Sequence, residues 1–288
     1  MSQPAAQPVE PVLWLNGAFT PLGQAAVSPL DRGLLFGDGL FETLRAQEGR
    51  ALWLAEHLAR LKASAHFLNI PLASEPDWPA LIAELLDRNH LAEGLARVKI
   101  VLTRGAEPAL GLPAASRPTL MVTAQAYAPP TPAAYQAGWR LHTFSQGAAP
   151  ALAGHKTLSY LFYLWARQAA QKAGADEAII LDGAGLVAET AMGSLLCRQE
   201  GRWWTPQSPA HLPGITLGQA RRLLAADGQQ LEDRPARPAD LLACPTVWVL
   251  NSLMGIMTVS HLDGQALAEP LPEMAEEYRR RLWQAGGE

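Results

Sequence analysis

A proline-rich break, Ala128 to Ala134 (APPTPAA), interrupts the chain near its middle. Prolines at this density end helices and strands, so the stretch reads as an interdomain linker. The division this implies is a smaller N-terminal α/β domain over residues 1–127, a linker over 128–135, and a larger domain over 136–288. With 288 residues, 49% of them hydrophobic, there is ample apolar material for two cores. A cleft between two such domains is where a ligand site is expected.

The pattern on either side of the break is mixed α+β. Before it, VLWLNGAF (Val12–Phe19) and GLFETLRAQEG (Gly39–Gly49) read as strands, the second ending in a hairpin turn. LAEHLARLKASAHFL and Trp78–Asn89 carry apolar residues at helical spacing, and ARVKIVLTRG and TLMVTAQAY read as strands. After the break come the strand WRLHTFS, a helix, the strand EAIILD, and a meander of GLVAETA and LLCRQEGRWWTP. A helix opens at Thr216 and ends at Gly228; the strand TVWVLNS and an amphipathic helix, PEMAEEYRRRLWQAG, close the chain.

Several function classes are disfavoured. A net charge of −4 gives no electrostatic reason to bind nucleic acid. Cys197 and Cys244 are too few for a disulfide framework and lack zinc spacing, so ordinary buried thiols and no metal site are expected. The first residues have neither a basic nor an apolar targeting region, and no apolar run approaches a membrane span. A soluble, cytoplasmic protein is the expectation. Trp203-Trp204 reads as strand core, because no basic patch accompanies it.

The chemistry concentrates between Gly154 and Ala191. The chain has only four lysines, Lys62, Lys99, Lys156 and Lys172, against nineteen arginines. Lysine can lose its proton and form a Schiff base, which arginine cannot. Lys62 sits on a charged helix, Lys172 near a helix C-terminus that favours a cation, and Lys99 can point outward from a strand. Lys156 has no such ordinary explanation. Glu189, at the end of a later apolar run, is a carboxylate able to keep a pyridine nitrogen protonated, which makes such a ring an electron sink. Pro213-Gly214-Ile215-Thr216 opens a helix whose Ile215 and Thr216 amides suit a phosphate, with Ser252 a further contact and Arg60 a counter-charge. Lysine, carboxylate and phosphate cradle together suit pyridoxal 5'-phosphate.

The chain resembles the fold type IV pyridoxal-phosphate enzymes: branched-chain aminotransferases, D-amino acid aminotransferases and aminodeoxychorismate lyases. The matching segments are DRGLLFGDGLFETLR, HLARL, VLTRG, GHKTLSYL, GADEAIILDGAGLVAET, LPGITLGQAR and LNSLMGIMTV, in family order along nearly the whole chain. The resemblance implies a two-domain α+β fold of the D-amino acid aminotransferase type, usually a homodimer acting on a small amino substrate. It makes Lys156 the Schiff-base lysine and the base that acts once substrate amine displaces it. Glu189 matches the pyridine-nitrogen partner, Arg60 a phosphate-binding arginine, and Ile215 and Thr216 the phosphate-binding pair. Ser252 with the Leu253 amide matches the last phosphate contact. Tyr160 lies one position from a tyrosine that faces the cofactor in branched-chain enzymes.

Within the family, NSLMGIMTV and FGDGLFETLR are closer to the lyase type, whose members form 4-aminobenzoate and pyruvate from 4-amino-4-deoxychorismate. An aminotransferase is the alternative, and a non-catalytic cofactor-binding protein a third reading. D-amino acid aminotransferases place an arginine and a histidine after the Arg-Gly turn, where this chain has Ala109 and Gly111. RGAEPALGL lacks the arginine that lyases often carry there, so a dianionic substrate would need another cation, such as Arg97, Lys99 or a residue of a partner chain. Ser194 and Ser159 stand where asparagines are common, and read as packing changes. Thr43 alternates along its strand and is a candidate to reach the substrate. Asp38, between Gly37 and Gly39, reads as a turn residue, and His155 as a packing residue.

Overall fold

The computed structural model describes residues 10–72, 75–113 and 117–286. It divides into two compact units, Met1–Ala128 and Pro129–Glu288. Among the described residues, no helix is long and apolar enough to cross a membrane.

The first unit contains β1 (Val12–Leu15), β2 (Ala18–Pro21), α1 (Arg32–Phe36), β3 (Gly39–Gln47), β4 (Arg50–Ala51), α2 (Leu54–Phe67), α3 (Trp78–Arg88), β5 (Leu95–Thr103) and β6 (Thr119–Ala126). Its sheet runs β2-β1-β6-β5-β3-β4. Val12–Phe19 is a hairpin rather than one strand. Asn16 and Gly17 both take positive φ, at 48° and 102°, which reverses the chain as Asn-Gly pairs do. Along β3, β5 and β6 every second residue enters the core; Leu40, Leu44, Val98, Ile100 and Val122 are fully buried against α2 and α3. Asp77 caps α3 by accepting from the Ala80 amide, and the helix turns Leu81, Ile82, Leu85 and Leu86 inward.

The second unit contains α4 (Pro132–Ala137), β7 (Trp139–Thr143), α5 (Leu161–Lys172), β8 (Glu177–Leu181), β9 (Val187–Thr190), β10 (Ser194–Gln199), β11 (Arg202–Pro206), α6 (Ile215–Ala226), β12 (Leu231–Arg234), α7 (Pro238–Leu242), β13 (Thr246–Asn251), β14 (Gly255–Leu262), β15 (Gln265–Ala266) and α8 (Pro272–Ala285). The proline-rich stretch already contributes to it: Thr131 caps α4 and Pro132 occupies its first turn. The sheet order is β12-β11-β10-β13-β14-β7-β8-β9, with β15 on β14. The expected meander is therefore broken, since β9 pairs with β8 while β10 pairs with β11 and β13. Trp203 and Trp248 pack with Tyr278 of α8 in the core, and the Trp248 indole donates to Pro270 O at 3.0 Å. Cys197 and Cys244 are both buried.

Candidate active site

Lys156 lies in a run of tight turns between β7 and α5. Ala153 N donates to Pro150 O and His155 N to Leu152 O, both at 2.9 Å, which fixes the backbone leading to the lysine. The Lys156 Nζ stands 5.9 Å from the centre of the Tyr160 ring. Tyr160 precedes α5, and its hydroxyl donates to Ala191 O at 2.6 Å. Its ring stacks on that of Tyr163, centre to centre 5.0 Å at 24°. Tyr163 donates its hydroxyl to Glu189 Oε1 at 3.2 Å. The other carboxylate oxygen accepts the Leu212 amide at 3.3 Å. Lys156, Tyr160, Tyr163 and Glu189 are thus joined side by side within the second unit. Burial, reinforced by the nearby Glu189 charge, raises both phenols above their ordinary pKa, so each remains a hydrogen-bond donor. Tyr163 went unnoticed in the sequence, although its spacing from Tyr160 puts the two on one helical face.

Leu212 leads directly into Pro213-Gly214, and α6 begins at Ile215. Gly214 is the N-cap and brings no side-chain acceptor, so the first-turn amides of the helix are not capped by it. A Cβ at Gly214 would stand against the Ser194 hydroxyl, which would have to turn away to admit it. Ser194 is therefore a packing residue behind the helix entry. The Thr216 and Ser252 hydroxyls meet at 3.5 Å beside the same entry. The Leu253 amide donates to Asn251 Oδ1 at 3.1 Å, and Met254 N shares that acceptor at 2.9 Å. An uncapped helix N-terminus flanked by two hydroxyls fits a phosphate group. The carboxylate of Glu189, already oriented by two donors, fits a protonated ring nitrogen.

Arg60 and Thr43 belong to the first unit. Arg60 is held by Glu42, Nε to Oε1 at 2.8 Å and a terminal nitrogen to Oε2 at 2.6 Å, with His57 Nδ1 2.7 Å from the same Oε2. Burial works to raise the Glu42 carboxyl, but the hydrogen bonds from Arg60 and His57 outweigh it and bring the pKa to about 2. Thr43 stands on the face of β3 opposite the core and is half-buried.

Asp38 is more than a turn residue. Its carboxylate accepts from Arg32 Nε and Arg104 Nε, each at 2.7 Å, and from a terminal nitrogen of Arg104 at 3.0 Å. Arg32 also donates to Ala109 O and Gly111 O, and Arg104 to Leu68 O and Pro113 O. The two guanidinium groups tie down the loop after the Arg-Gly turn. Arg104 is only 1% exposed, which withdraws it as a partner for a substrate carboxylate.

The class IV amino-transferase family model matches residues 39–262. The chain belongs to this family. It is 32% identical over 265 residues to a putative branched-chain-amino-acid aminotransferase of Methanocaldococcus jannaschii, covering 88% of this chain and 89% of that protein. It is 26% identical over 260 residues to the aminodeoxychorismate lyase of Vibrio harveyi, covering 88% and 92%. Its fold matches the pyridoxal-phosphate-bound form of a hypothetical aminotransferase from Mycobacterium tuberculosis at a TM-score of 0.80 and 26% identity, over 94% of this chain and 98% of that one. As a class IV aminotransferase family member, the protein is a pyridoxal-phosphate-dependent enzyme of the fold type IV, α+β architecture.

Proposed function

We propose that the enzyme is a lyase converting 4-amino-4-deoxychorismate to 4-aminobenzoate and pyruvate. The observation that carries this reading is the turn after β13. Asn251 fixes the Leu253 and Met254 amides, so the Asn-Ser-Leu sequence that resembles the lyases is a rigid feature next to the Thr216 and Ser252 hydroxyls. In this reading the Ile215 and Thr216 amides and the Thr216 and Ser252 hydroxyls hold the cofactor phosphate. Glu189 faces the ring nitrogen, kept in position by Tyr163 and the Leu212 amide. Arg60 enters through the family resemblance alone. The bound cofactor supplies an electron sink for the pair left when a C–H bond beside nitrogen breaks. Lys156 would hold the cofactor covalently until the substrate amine displaces it, and the freed, neutral amine would take the proton from the substrate carbon that bears nitrogen. The bond from the ring to the enolpyruvyl oxygen would then break with its electron pair on oxygen, the ring would become aromatic, and the released enolpyruvate would take up a proton at carbon to give pyruvate. Tyr160, within reach of the Lys156 side chain, limits the directions the amine can take.

An aminotransferase is the second reading, favoured by the likeness to the archaeal putative branched-chain enzyme. There Lys156 would return the proton to a different carbon, and a keto acid would be released. The deciding experiment follows pyruvate and 4-aminobenzoate together from 4-amino-4-deoxychorismate. Equal release of both, lost in Lys156→Ala, supports the lyase. Keto acid from an amino donor without any 4-aminobenzoate replaces it with the aminotransferase. A homodimer is part of the same reading; Leu34, Leu35 and Phe36 of α1 are all more than half exposed, as an apolar contact surface would be in a separated subunit.

A further inference from the structure

The second unit carries another buried carboxylate beside the candidate active site. Glu177 opens β8 and is 0% exposed. Its Oε1 accepts from the Ala178 amide at 2.7 Å, and the Ala191 amide also faces the carboxylate. Oε2 has no hydrogen-bond partner among the described residues. The Nε of Arg167 on α5 is 3.8 Å from it, and is likewise buried without a hydrogen-bond partner. A carboxylate held in this way costs folding free energy that a neutral side chain would not. A group kept in a core against stability is a candidate for function.

The Ala191 peptide joins Glu177 to the site. Its amide faces Glu177, and its carbonyl accepts the Tyr160 hydroxyl at 2.6 Å. The Tyr160 ring in turn stands 5.9 Å from the Lys156 Nζ. One peptide and one aromatic ring therefore lie between the carboxylate and the amine, and protein groups screen a charge less than water does. Tyr160 already feels that charge. Beyond the effect of burial, Glu189 and Glu177 raise its pKa and Arg167 opposes them. From α5, Arg167 faces Glu177; from β9, Glu189 lies two residues before Ala191. On β7, which pairs with β8, Arg140 is engaged by Asp176 and His142 by Asp263. Burial raises the Glu177 carboxyl to about 7, so it is ionised where a lysine amine ordinarily titrates.

We propose that Glu177 is a second carboxylate of the cofactor site, one that touches neither cofactor nor substrate and whose charge sets how readily Lys156 gives up its proton. The proposal rests on the reading of Lys156 as the amine that binds the cofactor. An ionised Glu177 favours the ammonium form of Lys156, and Arg167 disfavours it. The pair thus acts on an amine that must be neutral to form a Schiff base or to take a proton. At an effective dielectric constant of about 20, a charge about 10 Å away changes a proton affinity about tenfold.

The test is competitive acetylation of the full-length protein freed of cofactor, from neutral to alkaline pH, with each lysine read by peptide mass spectrometry. Lys62, Lys99 and Lys172 serve as internal references. Glu177→Gln keeps an oxygen for the Ala178 amide and removes the charge. It should lower the Lys156 midpoint, a loss of proton affinity of about threefold to tenfold. Arg167→Gln should raise the midpoint by a similar factor, and it decides the matter if Glu177→Gln fails to fold. Glu277→Gln, which removes a surface carboxylate paired with Arg280, should leave it unchanged. A merely structural role would move the unfolding temperature of the first two variants and leave the Lys156 midpoint in place. Unmoved midpoints, or shifts of the same sign in Glu177→Gln and Arg167→Gln, would overturn the proposal. Pyridoxal phosphate is then added to the same preparations and trapped with borohydride. Trapping on another lysine while the Lys156 midpoint shifts as expected removes Lys156 as the anchor and leaves the charge coupling. Trapping on Lys156 with unmoved midpoints does the reverse.

Discussion

Replacing Arg60 with glutamine separates a structural role of this arginine from a cofactor role. Glu42 is 1% exposed and depends on Arg60 and His57 to be ionised in the core. Moving its carboxyl from an ordinary value of 4.5 to about 2 corresponds to about 3 kcal/mol at neutral pH, taking ~1.4 kcal/mol per tenfold change in acidity. That agrees with the loss of ~3–5 kcal/mol expected when one partner of a buried ion pair is removed. The folded-state pKa is depressed, so the stabilisation is complete above about 4.5 and fades as the pH falls toward 2. Urea unfolding of wild type and Arg60→Gln, followed by tryptophan fluorescence from pH 7 downward, should show a gap of about 3 kcal/mol that closes across this window. Subtracting the two profiles cancels the other carboxylates, Asp38, Asp182 and Asp227, whose pKa values are also lowered. Equal unfolding midpoints at pH 7, or an undiminished gap at pH 2, would show that Arg60 does not hold the Glu42 carboxylate ionised. A fall in cofactor affinity in Arg60→Gln but not in Glu42→Gln would show that Arg60 serves the phosphate as well.

Other outcomes follow from the second unit. Gly214→Ala should weaken cofactor retention through overpacking of about 1–3 kcal/mol against Ser194, and Ser194→Ala in the same chain should restore most of it, as read by cofactor release on dilution. Glu177 is buried, its pKa raised to about 7 mainly by that burial, and its Arg167 partner is 3.8 Å away. A raised folded-state pKa means the folded form is penalised as the pH rises from about 4.5 to about 7. Glu177→Gln should therefore flatten the stability profile over that range, measured by thermal unfolding at a series of pH values.

Much of the fold was legible because its signals are local. The apolar spacing of α2 and α3, the strands β3, β5 and β6, and the glycine entry to α6 all follow from short-range patterns. The Asn16-Gly17 reversal was also local and was passed over in favour of one continuous strand. β14 escaped because Gly255–Val259 is buried without a break, which removes the alternation that marks a half-buried strand. The break in the meander at β9 is a choice of pairing partners distant in sequence, which no short pattern encodes.

The same division holds for the site. Lys156, Glu189, Thr216 and Ser252 could be picked out by residue type and order, and the structure joins Thr216 to Ser252 and gives Glu189 its two donors. The role of Asp38 could not be read from its neighbours, because Arg104 arrives from far along the chain. The bond from the Leu253 amide to Asn251 could not be read for a related reason: only the turn geometry decides which nearby amides the Asn251 side chain reaches. Arg104, read simply as the arginine of a turn, is a fully buried tie for the loop that follows it.

In the proposed reading Lys156 is the covalent anchor of the cofactor, in the site built from Glu189 and the α6 entry. It is tested most directly by treating the cofactor-loaded enzyme with borohydride and locating the trapped pyridoxyl group by peptide mass spectrometry. The modification is expected on the peptide carrying Lys156, about one per chain, with none in Lys156→Ala. Modification of Lys62, Lys99 or Lys172 in its place, or a cofactor that leaves the reduced protein unmodified, would contradict it.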